Sequence, residues 1–177
     1  MDRQERIRLG GQVRRYHTRP VHNQQTVAAH SWGVAAILLD IVPPEEQSVA
    51  LLRAALYHDV AEYDTGDVPA QAKWISPKLK DALDELEAGI EEEYGISYYL
   101  TLSAKDKNWL KIADLMELMW FVLEERRMGN RNVDEIFDRV WPKLLDLLKG
   151  SELLRPVHGQ ASIMLSYIGE EYLHVRK

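Results

Sequence analysis

The sequence predicts an all-α protein that folds as a compact helical bundle. Apolar residues recur at three- and four-residue steps in most segments, which is the period of one helical face. No segment shows the alternation of a β-strand for longer than a few residues. With 177 residues, of which 46 % are hydrophobic, the chain can bury a sizeable core. Because no repeat or linker divides it, we expect residues 1–177 to form a single domain.

The composition argues against several classes of function. The formal net charge of −6 is unlike that of nucleic-acid-binding proteins, which present basic surfaces. The chain has no cysteine, so it has no disulfide and no thiolate metal site. No apolar run approaches the roughly 18 residues of a membrane helix, and the charged start "MDRQERIRLG" lacks a signal segment. We therefore expect a cytoplasmic protein that binds neither nucleic acid nor membranes.

The first half of the chain contains two predicted helices. The first begins after Thr26, an N-cap residue type, and ends before Pro43 and Pro44. Its apolar face consists of Val27, Val34, Ile37, Leu38 and Ile41. The second covers residues 45–63, with the apolar side chains Val49, Leu52, Leu56 and Val60 on its face. The stretch "TGDVPAQAK" that follows is predicted to be a loop, because it contains glycine and proline.

The second half predicts four more helices. Residues 76–94 alternate lysine with acidic residues, which is typical of a solvated face. Residues 104–128 are apolar nearly all round, so this helix should be central and buried. A fifth helix is expected at 133–148, and a last one after Pro156.

The late helices also predict a homo-oligomer, because they offer more apolar surface than one small bundle needs. The side chains concerned are Ile136, Val140, Leu144, Leu147, Ile163, Leu165 and Ile168.

Three places interrupt the apolar pattern with metal-ligating residue types. His30 shares the inward face of Val27 and Val34. His58 and Asp59 follow a deeply packed helical segment. Asp114 lies in the middle of the most apolar helix, where a carboxylate needs a cation or several hydrogen-bond donors. Taken singly, His30 fits a hydrogen-bonded core histidine and Asp114 fits a buried salt bridge.

One divalent cation accounts for all three interruptions together. Two imidazoles and two carboxylates, from His30, His58, Asp59 and Asp114, suit a transition metal such as Zn²⁺, Co²⁺, Mn²⁺ or Fe²⁺. Four protein ligands of this kind leave positions for water or a phosphate oxygen. The pattern therefore favours a catalytic metal site over a closed structural one.

These motifs resemble those of the HD-domain phosphohydrolases. The resemblance rests on "AAH" at His30, on "YHDVAEYDTGDVP" from Tyr57, on a lysine four residues after the proline, and on the late Asp114. It extends from about residue 14 to about residue 125. The wording is similar both to the bacterial HD-domain 5'-deoxynucleotidases and to the phage HD-domain dATP triphosphohydrolases.

The resemblance implies a role for each matching residue. His30, His58, Asp59 and Asp114 match the family's metal ligands. The remaining matches are Glu62 as a carboxylate needed for catalysis, Asp67 as the residue that orients the attacking water, Arg15 as a phosphate or sugar contact, and Lys73 as a phosphate contact. Relatives also allow a second ion, Mg²⁺, bound with the substrate phosphates.

The polar stretch "RYHTRPVHNQQT", from Arg15, is expected to lie over the nucleoside. Its position between the phosphate-contacting arginine and His30 predicts Tyr16 and Thr18 as nucleoside contacts. Relatives usually carry a tryptophan that packs on the deoxyribose where this chain has Tyr16, which keeps an aromatic face. Many also carry glutamate immediately before the first histidine, where this chain has Ala29.

The resemblance implies a metal-dependent phosphohydrolase that acts on 2'-deoxyribonucleotides. The favoured activity is a dATP triphosphohydrolase that releases deoxynucleoside and tripolyphosphate. The alternative is a 5'-deoxynucleotidase that releases phosphate from deoxynucleoside monophosphates. Two other classes remain open: a nucleotide-binding protein without turnover, against which the presence of Glu62 and Asp67 argues, and a purely structural helical protein, which would bind no metal.

Overall fold

The computed structural model describes residues 2–149 and 159–177, and within these ranges all regular elements are helical. The α-helices are α1 (Arg3–Gly10), α2 (Val27–Ile41), α3 (Val49–Tyr57), α4 (Glu62–Thr65), α5 (Ala70–Ile75), α6 (Pro77–Tyr94), α7 (Ala104–Arg127), α8 (Asp134–Lys149) and α9 (Gly159–Val175). The prediction of an all-α bundle is confirmed. Pro156, after which the last helix was expected, lies outside the described residues.

Helix α7 is the centre of the bundle. It packs against α2, α3, α8 and α9, and α2 packs in turn on α3. Trp109, Ile112, Met116 and Met119 are completely buried along it, as expected for a helix that is apolar nearly all round. Polar side chains that α7 directs inward are therefore held by packing on several sides.

The prediction of one continuous helix at residues 45–63 is wrong. Helix α3 ends at Tyr57, and the chain turns through residues 58–61 before α4 begins at Glu62. The predicted face is also wrong in part, since Val49 and Leu56 are exposed and the buried residues of α3 are Leu51, Ala54 and Ala55. Successive residues on a continuous helix point about 100° apart, so the turn changes the directions in which His58 and Asp59 point.

The predicted loop "TGDVPAQAK" contains a short helix. Gly66 ends α4 with a φ of 73°, a conformation that glycine adopts without the steric cost of a Cβ atom. Helix α5 then begins immediately after Pro69 and carries Lys73 and Trp74. Helix α5 packs beside α6, which follows it in the chain.

The oligomer and the single domain stay predictions. Among the side chains that suggested an oligomer, Ile136, Val140, Leu144, Leu165 and Ile168 are buried within the chain itself, whereas Ile163 is exposed. Among the described residues, no helix combines the length and the apolar character needed to cross a membrane.

Helix α6 buries one carboxylate whose ionisation should destabilise the fold. Burial first, then the negative charges of Glu87 and Asp59, raise the pKa of Glu91 to about 7. The folded protein then holds an extra proton between about pH 4.5 and 7, so the stability that protonation provides is lost as the pH rises through this window.

We expect Glu91→Gln to remove this pH dependence. At pH 8 the free energy of unfolding should rise by on the order of 1–2 kcal/mol after allowance for solvent screening, or about 3–5 °C in Tm. At pH 4.5 the variant and the wild type should be equal. Thermal melts followed by circular dichroism test this, with the exposed neighbour Glu92→Gln as control. An equal gain at both pH values would contradict the explanation.

Candidate metal centre and catalytic pocket

Three separate helices bring the predicted ligands together. His30 comes from α2, His58 caps the end of α3, and Asp114 comes from the middle of α7. One ligand atom from each lies within 4.8 Å of the others. The His30 Nε2 atom is 3.3 Å from His58 Nε2 and 3.3 Å from Asp114 Oδ1. His58 and Asp114, which follow His30 in the chain by 28 and 84 positions, thus form one cluster with it.

The two imidazoles are oriented as ligands of one ion. His58 Nδ1 donates to the Ala55 carbonyl at 2.8 Å, and His30 Nδ1 donates to the Glu117 carboxylate. Both acceptors lack a hydrogen, so in neutral rings both Nε2 atoms carry lone pairs, and these face each other. Two nitrogens that each lie about 2.05 Å from one tetrahedral ion are about 3.3 Å apart, which matches the structure.

The cluster favours a positive charge at its centre. Burial opposes the charged form of His30, but hydrogen bonds with Asp114 and Glu117 outweigh it and raise the pKa of His30 to about 9. A proton or a metal ion can supply that charge. Geometry and donor types fit a divalent transition metal.

The environment of Asp114 fits both alternatives that the sequence left open, a salt bridge and a metal ligand. Its Oδ2 atom accepts from Lys111 Nζ at 2.8 Å, while Oδ1 faces His30. Burial opposes ionisation of this carboxyl, but the charges of Lys111 and His30 hold its pKa well below the usual range. A salt bridge and a metal-facing oxygen therefore occur in the same side chain.

Asp59 lies beside the three-residue cluster. Its Oδ1 atom is 3.4 Å from His58 Nε2, and its Oδ2 atom is 3.7 Å from His30 Nε2. Arg15 Nη1 donates to Oδ2 at 2.5 Å. Burial would raise the pKa of Asp59, but His58 and Arg15 lower it, so the carboxylate form is favoured. Its role as fourth ligand stays a prediction, and the geometry leaves Oδ1 facing the cluster.

Glu62 is a buried carboxyl close to this cluster. Burial, and then the charge of Asp59, raise the pKa of Glu62 to about 9. Among the described residues, no hydrogen-bond partner is found for its Oε2 atom. A divalent cation next to Asp59 would favour the ionised form of Glu62, because opposite charge lowers the pKa of a carboxyl. The role of Glu62 as a proton acceptor stays a prediction, and its carboxyl lines the same pocket as Asp59.

Asp67 contacts the loop of residues 15–26, which we call the substrate loop because the sequence predicts nucleoside contacts in it. Its Oδ2 atom accepts a hydrogen bond from the Tyr16 backbone nitrogen at 3.0 Å. Tyr16 has a φ of 57°, an uncommon and strained conformation for a residue with a side chain. Its ring stacks on Phe121 of α7, with centroids 4.3 Å apart. A strained backbone conformation persists where surrounding contacts hold it. Here the hydrogen bond to Asp67 and the stacking on Phe121 hold Tyr16.

A pocket of about 500 Å³ opens above these residues. Every predicted site residue other than the two histidines lines it: Arg15, Tyr16, Thr18, Asp59, Glu62, Asp67, Lys73 and Asp114. Apolar side chains line the same pocket: Trp74, Leu115, Leu118, Ile136, Val140 and Leu147. The pocket therefore combines charged groups with apolar surface that can accept a flat apolar group.

The chain matches the family model described as 5'-deoxynucleotidase YfbR-like over residues 7–153. The chain belongs to this family. The resemblance to HD-domain phosphohydrolases that the motifs indicated is confirmed, and the pocket described above lies within the matched residues.

Two phage proteins and one solved structure are similar to this family member. The dATP triphosphohydrolase of Salmonella phage PMBT28 is 30 % identical over 126 residues, which is 63 % of this chain and 61 % of that protein. The dATP triphosphohydrolase of Acinetobacter phage SH-Ab 15497 is 27 % identical over 117 residues, 57 % of each. The chain thus spans about three fifths of the length of these relatives.

One similar solved structure is that of the cyanophage S-2L HD phosphohydrolase DatZ, bound to dA and one catalytic Zn²⁺ ion. The TM-score is 0.77 with 22 % sequence identity, and the alignment covers 96 % of this chain and 98 % of that one. At this identity the likeness shows the fold, which is therefore the HD-domain helical bundle.

Sequence reasoning missed Glu117, which holds His30, one of the predicted metal ligands. Its Oε2 atom accepts from His30 Nδ1, and its Oε1 atom accepts from Gln25 Nε2 at 2.7 Å. Gly33 leaves room for it, since a Cβ at that position would lie 2.8 Å from the Glu117 Cγ atom. The signal was present, because Glu117 is a second carboxylate on the face of Asp114, three residues later in a buried helix.

We expect Glu117→Gln to weaken metal binding. The carboxylate fixes the tautomer of His30 and makes its Nε2 a better donor to a cation, and loss of such a partner typically costs about 10- to 100-fold in affinity. Competition of the purified variant with a chromogenic zinc chelator measures this. Unchanged Zn²⁺ affinity would show that the contact is only structural.

Proposed function

We propose that this chain is a metal-dependent phosphohydrolase of 2'-deoxyribonucleotides, and specifically that it converts dATP to deoxyadenosine and tripolyphosphate. The observation that carries this proposal is the convergence of carboxylates and cations in one pocket: Asp59, Glu62, Asp67 and Asp114 with Arg15 and Lys73. Two further features support it: the phage relatives are named dATP triphosphohydrolases, and the cluster of His30, His58 and Asp114 adjoins the pocket through Asp114, which also lines it.

Cationic side chains slightly outnumber carboxylates in the lining of the pocket. Six cationic residues line it: Arg15, Arg19, Lys73, Lys80, Lys111 and Lys143. Four carboxylates oppose them: Asp59, Glu62, Asp67 and Asp114. Four of these cations are paired with carboxylates, Arg15 with Asp59, Arg19 with Glu135, Lys80 with Asp84 and Lys111 with Asp114, so the local excess of positive charge is small. A divalent ion adds two further positive charges to the pocket. A triphosphate carries about twice the negative charge of a monophosphate, which is roughly −2, so it balances the positive charge of the pocket better.

The reaction is hydrolysis of the bond between the α-phosphorus and O5'. When bound, the divalent cation polarises a phosphoryl oxygen and lowers the pKa of water toward neutrality. Glu62 accepts a proton from the attacking water, and Asp67 orients that water. The water oxygen bonds to the α-phosphorus, the bond to O5' breaks, and O5' takes a proton as deoxyadenosine leaves.

The cations of the pocket act on the developing charge. Arg15 and Lys73 hold the phosphate oxygens while negative charge accumulates on them. Arg15 is itself fixed by Asp59, so its guanidinium needs little reorganisation during the reaction. Tyr16 and Thr18 contact the nucleoside from the substrate loop.

The family description favours a second candidate, a 5'-deoxynucleotidase that acts on monophosphates. Both reactions cleave the same bond, so the product distinguishes them. We expect purified protein to release tripolyphosphate from dATP, detected by ion chromatography. Release of orthophosphate from dAMP with no action on dATP would overturn the triphosphate assignment. Binding without turnover of either would indicate a nucleotide-binding protein.

The metal and the sugar are tested in the same assay. A panel with Zn²⁺, Co²⁺, Mn²⁺ and Mg²⁺ identifies the ion that supports turnover, and added Mg²⁺ tests a second ion bound with the phosphates. Ribonucleotides at each phosphorylation level test selection for the 2'-deoxy sugar. Full activity after chelation and dialysis would contradict the metal-dependent mechanism.

We also propose that residues 1–177 form one cytoplasmic domain that assembles as a homo-oligomer and needs no nucleic acid. A light-scattering mass near the 20.5 kDa of one chain would contradict the oligomer.

A further inference from the structure

A buried carboxylate near the C-terminal end of α7, outside the pocket, is hydrogen-bonded to the substrate loop. Glu125 is completely buried. Its Oε2 atom accepts from the His22 backbone nitrogen at 2.8 Å, and its Oε1 atom accepts from the Asn23 backbone nitrogen at 2.7 Å. One carboxylate thus receives two consecutive amides of the loop, an arrangement that fixes the backbone rather than any side chain.

Asn130 braces the same carboxylate. Its Nδ2 atom donates to Glu125 Oε2 at 2.7 Å and to the Pro20 carbonyl at 2.9 Å. Asn130 is itself buried, and its Oδ1 atom accepts from the Asn132 backbone nitrogen. Glu125 and Asn130 therefore hold the loop at three successive places between residues 20 and 23.

Further contacts link the loop to α7 and to residues 132–135. Tyr16 stacks on Phe121, which precedes Glu125 by one helical turn. Arg19 donates to the Asn132 carbonyl at 2.8 Å and to Glu135 at 3.1 Å. At the base of the loop, the Arg15 backbone nitrogen donates to the Gln25 carbonyl at 2.9 Å. The loop is thus closed at its base and fastened at its tip.

We propose that Glu125 is a positioning residue that sets the affinity for the substrate by fastening the tip of the loop. The residues that contact substrate in the proposed function, Arg15, Tyr16 and Thr18, lie on this loop, and Glu125 is not among the pocket-lining residues. A fastened loop has little conformational freedom to lose when substrate binds, and this reduces the entropic cost of binding. The effect on substrate rests on the proposed function, whereas the fastening itself does not.

Glu125→Gln is the variant that tests this proposal. An amide of the same shape has one accepting oxygen, and its NH₂ group faces a backbone N–H instead of accepting from it. We expect amide exchange of His22 and Asn23, followed by mass spectrometry with residue resolution, to speed up at least about tenfold. We expect KM for dATP to rise about tenfold while kcat changes less than threefold, because the metal-facing cluster is untouched.

The control is Glu124→Gln, the adjacent and exposed carboxylate of the same helix. It should leave loop exchange, KM and kcat at wild-type values. If Glu125→Gln does not fold, Asn130→Ala removes the side chain that holds Glu125. It should also speed up amide exchange and raise KM, but by smaller factors. The wild type alone also tests the fastening, since the amides of His22 and Asn23 should exchange slowly.

The outcomes separate this proposal from the proposed function. If the wild type hydrolyses no deoxynucleotide, the proposed function fails, and loop exchange in the variants still decides whether Glu125 fastens the loop. Unchanged exchange in Glu125→Gln overturns the proposal. So does faster exchange with an unchanged KM, since the loop position would then not govern substrate affinity, and so does a fall in Tm with no change in KM.

Discussion

Asp114→Asn is expected to abolish both metal binding and turnover. The amide keeps the size of the carboxylate but removes the negative charge that Lys111 and His30 stabilise, and amides are poor ligands of transition metals. We expect Zn²⁺ affinity to fall by about 100-fold or more and hydrolysis of dATP by on the order of 10³-fold. Metal content after dialysis, measured by mass spectrometry, and product release under saturating dATP test the two parts separately.

The matched control is again Glu124→Gln, which removes one carboxylate from an exposed position of the same helix. It should retain wild-type metal content and rate. If Asp114→Asn keeps its metal and its activity, the carboxylate serves only the Lys111 salt bridge, and the proposed centre is incorrect.

Glu62→Gln is expected to separate chemistry from binding. Glutamine fills the same buried space but cannot accept a proton, so kcat should fall about 10²- to 10⁴-fold. Metal content should remain at the wild-type level, because Glu62 is not part of the three-residue cluster. Titration with dATP by calorimetry should give a Kd close to that of the wild type, since the loop and the pocket cations are unchanged.

Glu85→Gln, an exposed carboxylate of α6, is the control for this series. A Glu62→Gln variant that still hydrolyses dATP at the wild-type rate would show that another group takes the proton, and Asp67 is the nearest alternative by its place in the pocket. Loss of metal from Glu62→Gln would instead make Glu62 a ligand.

The fold class could be predicted from sequence because helical periodicity is a local property. The face of α2, the Thr26 cap and the apolar character of α7 each depend on residues within a few turns of one another. Buried polar residues could be found for the same reason. His30 and Asp114 stand out because their immediate neighbours are apolar, whatever the rest of the chain does.

The turn after α3 could not be predicted in this way. The apolar pattern of residues 45–63 continues across it, so local spacing favours one helix. The structure ends α3 at Tyr57, and the turn at residues 58–61 lets His58 and Asp59 both reach the cluster. The turn residues meet distant parts of the chain, since His58 faces His30 and Val60 lies against Gly10, and no local pattern contains these contacts.

The sequence by itself determined that this protein is helical, that three sites in it are out of place in a core, and that its motifs belong to a phosphohydrolase family. Only the tertiary structure decided that His30 faces His58 and Asp114, that Glu117 braces the first histidine, and that Glu125 fastens a loop about a hundred residues earlier in the chain. The reason is physical: periodicity reports which face of an element is buried, whereas the partner that a buried polar group meets depends on how distant elements pack.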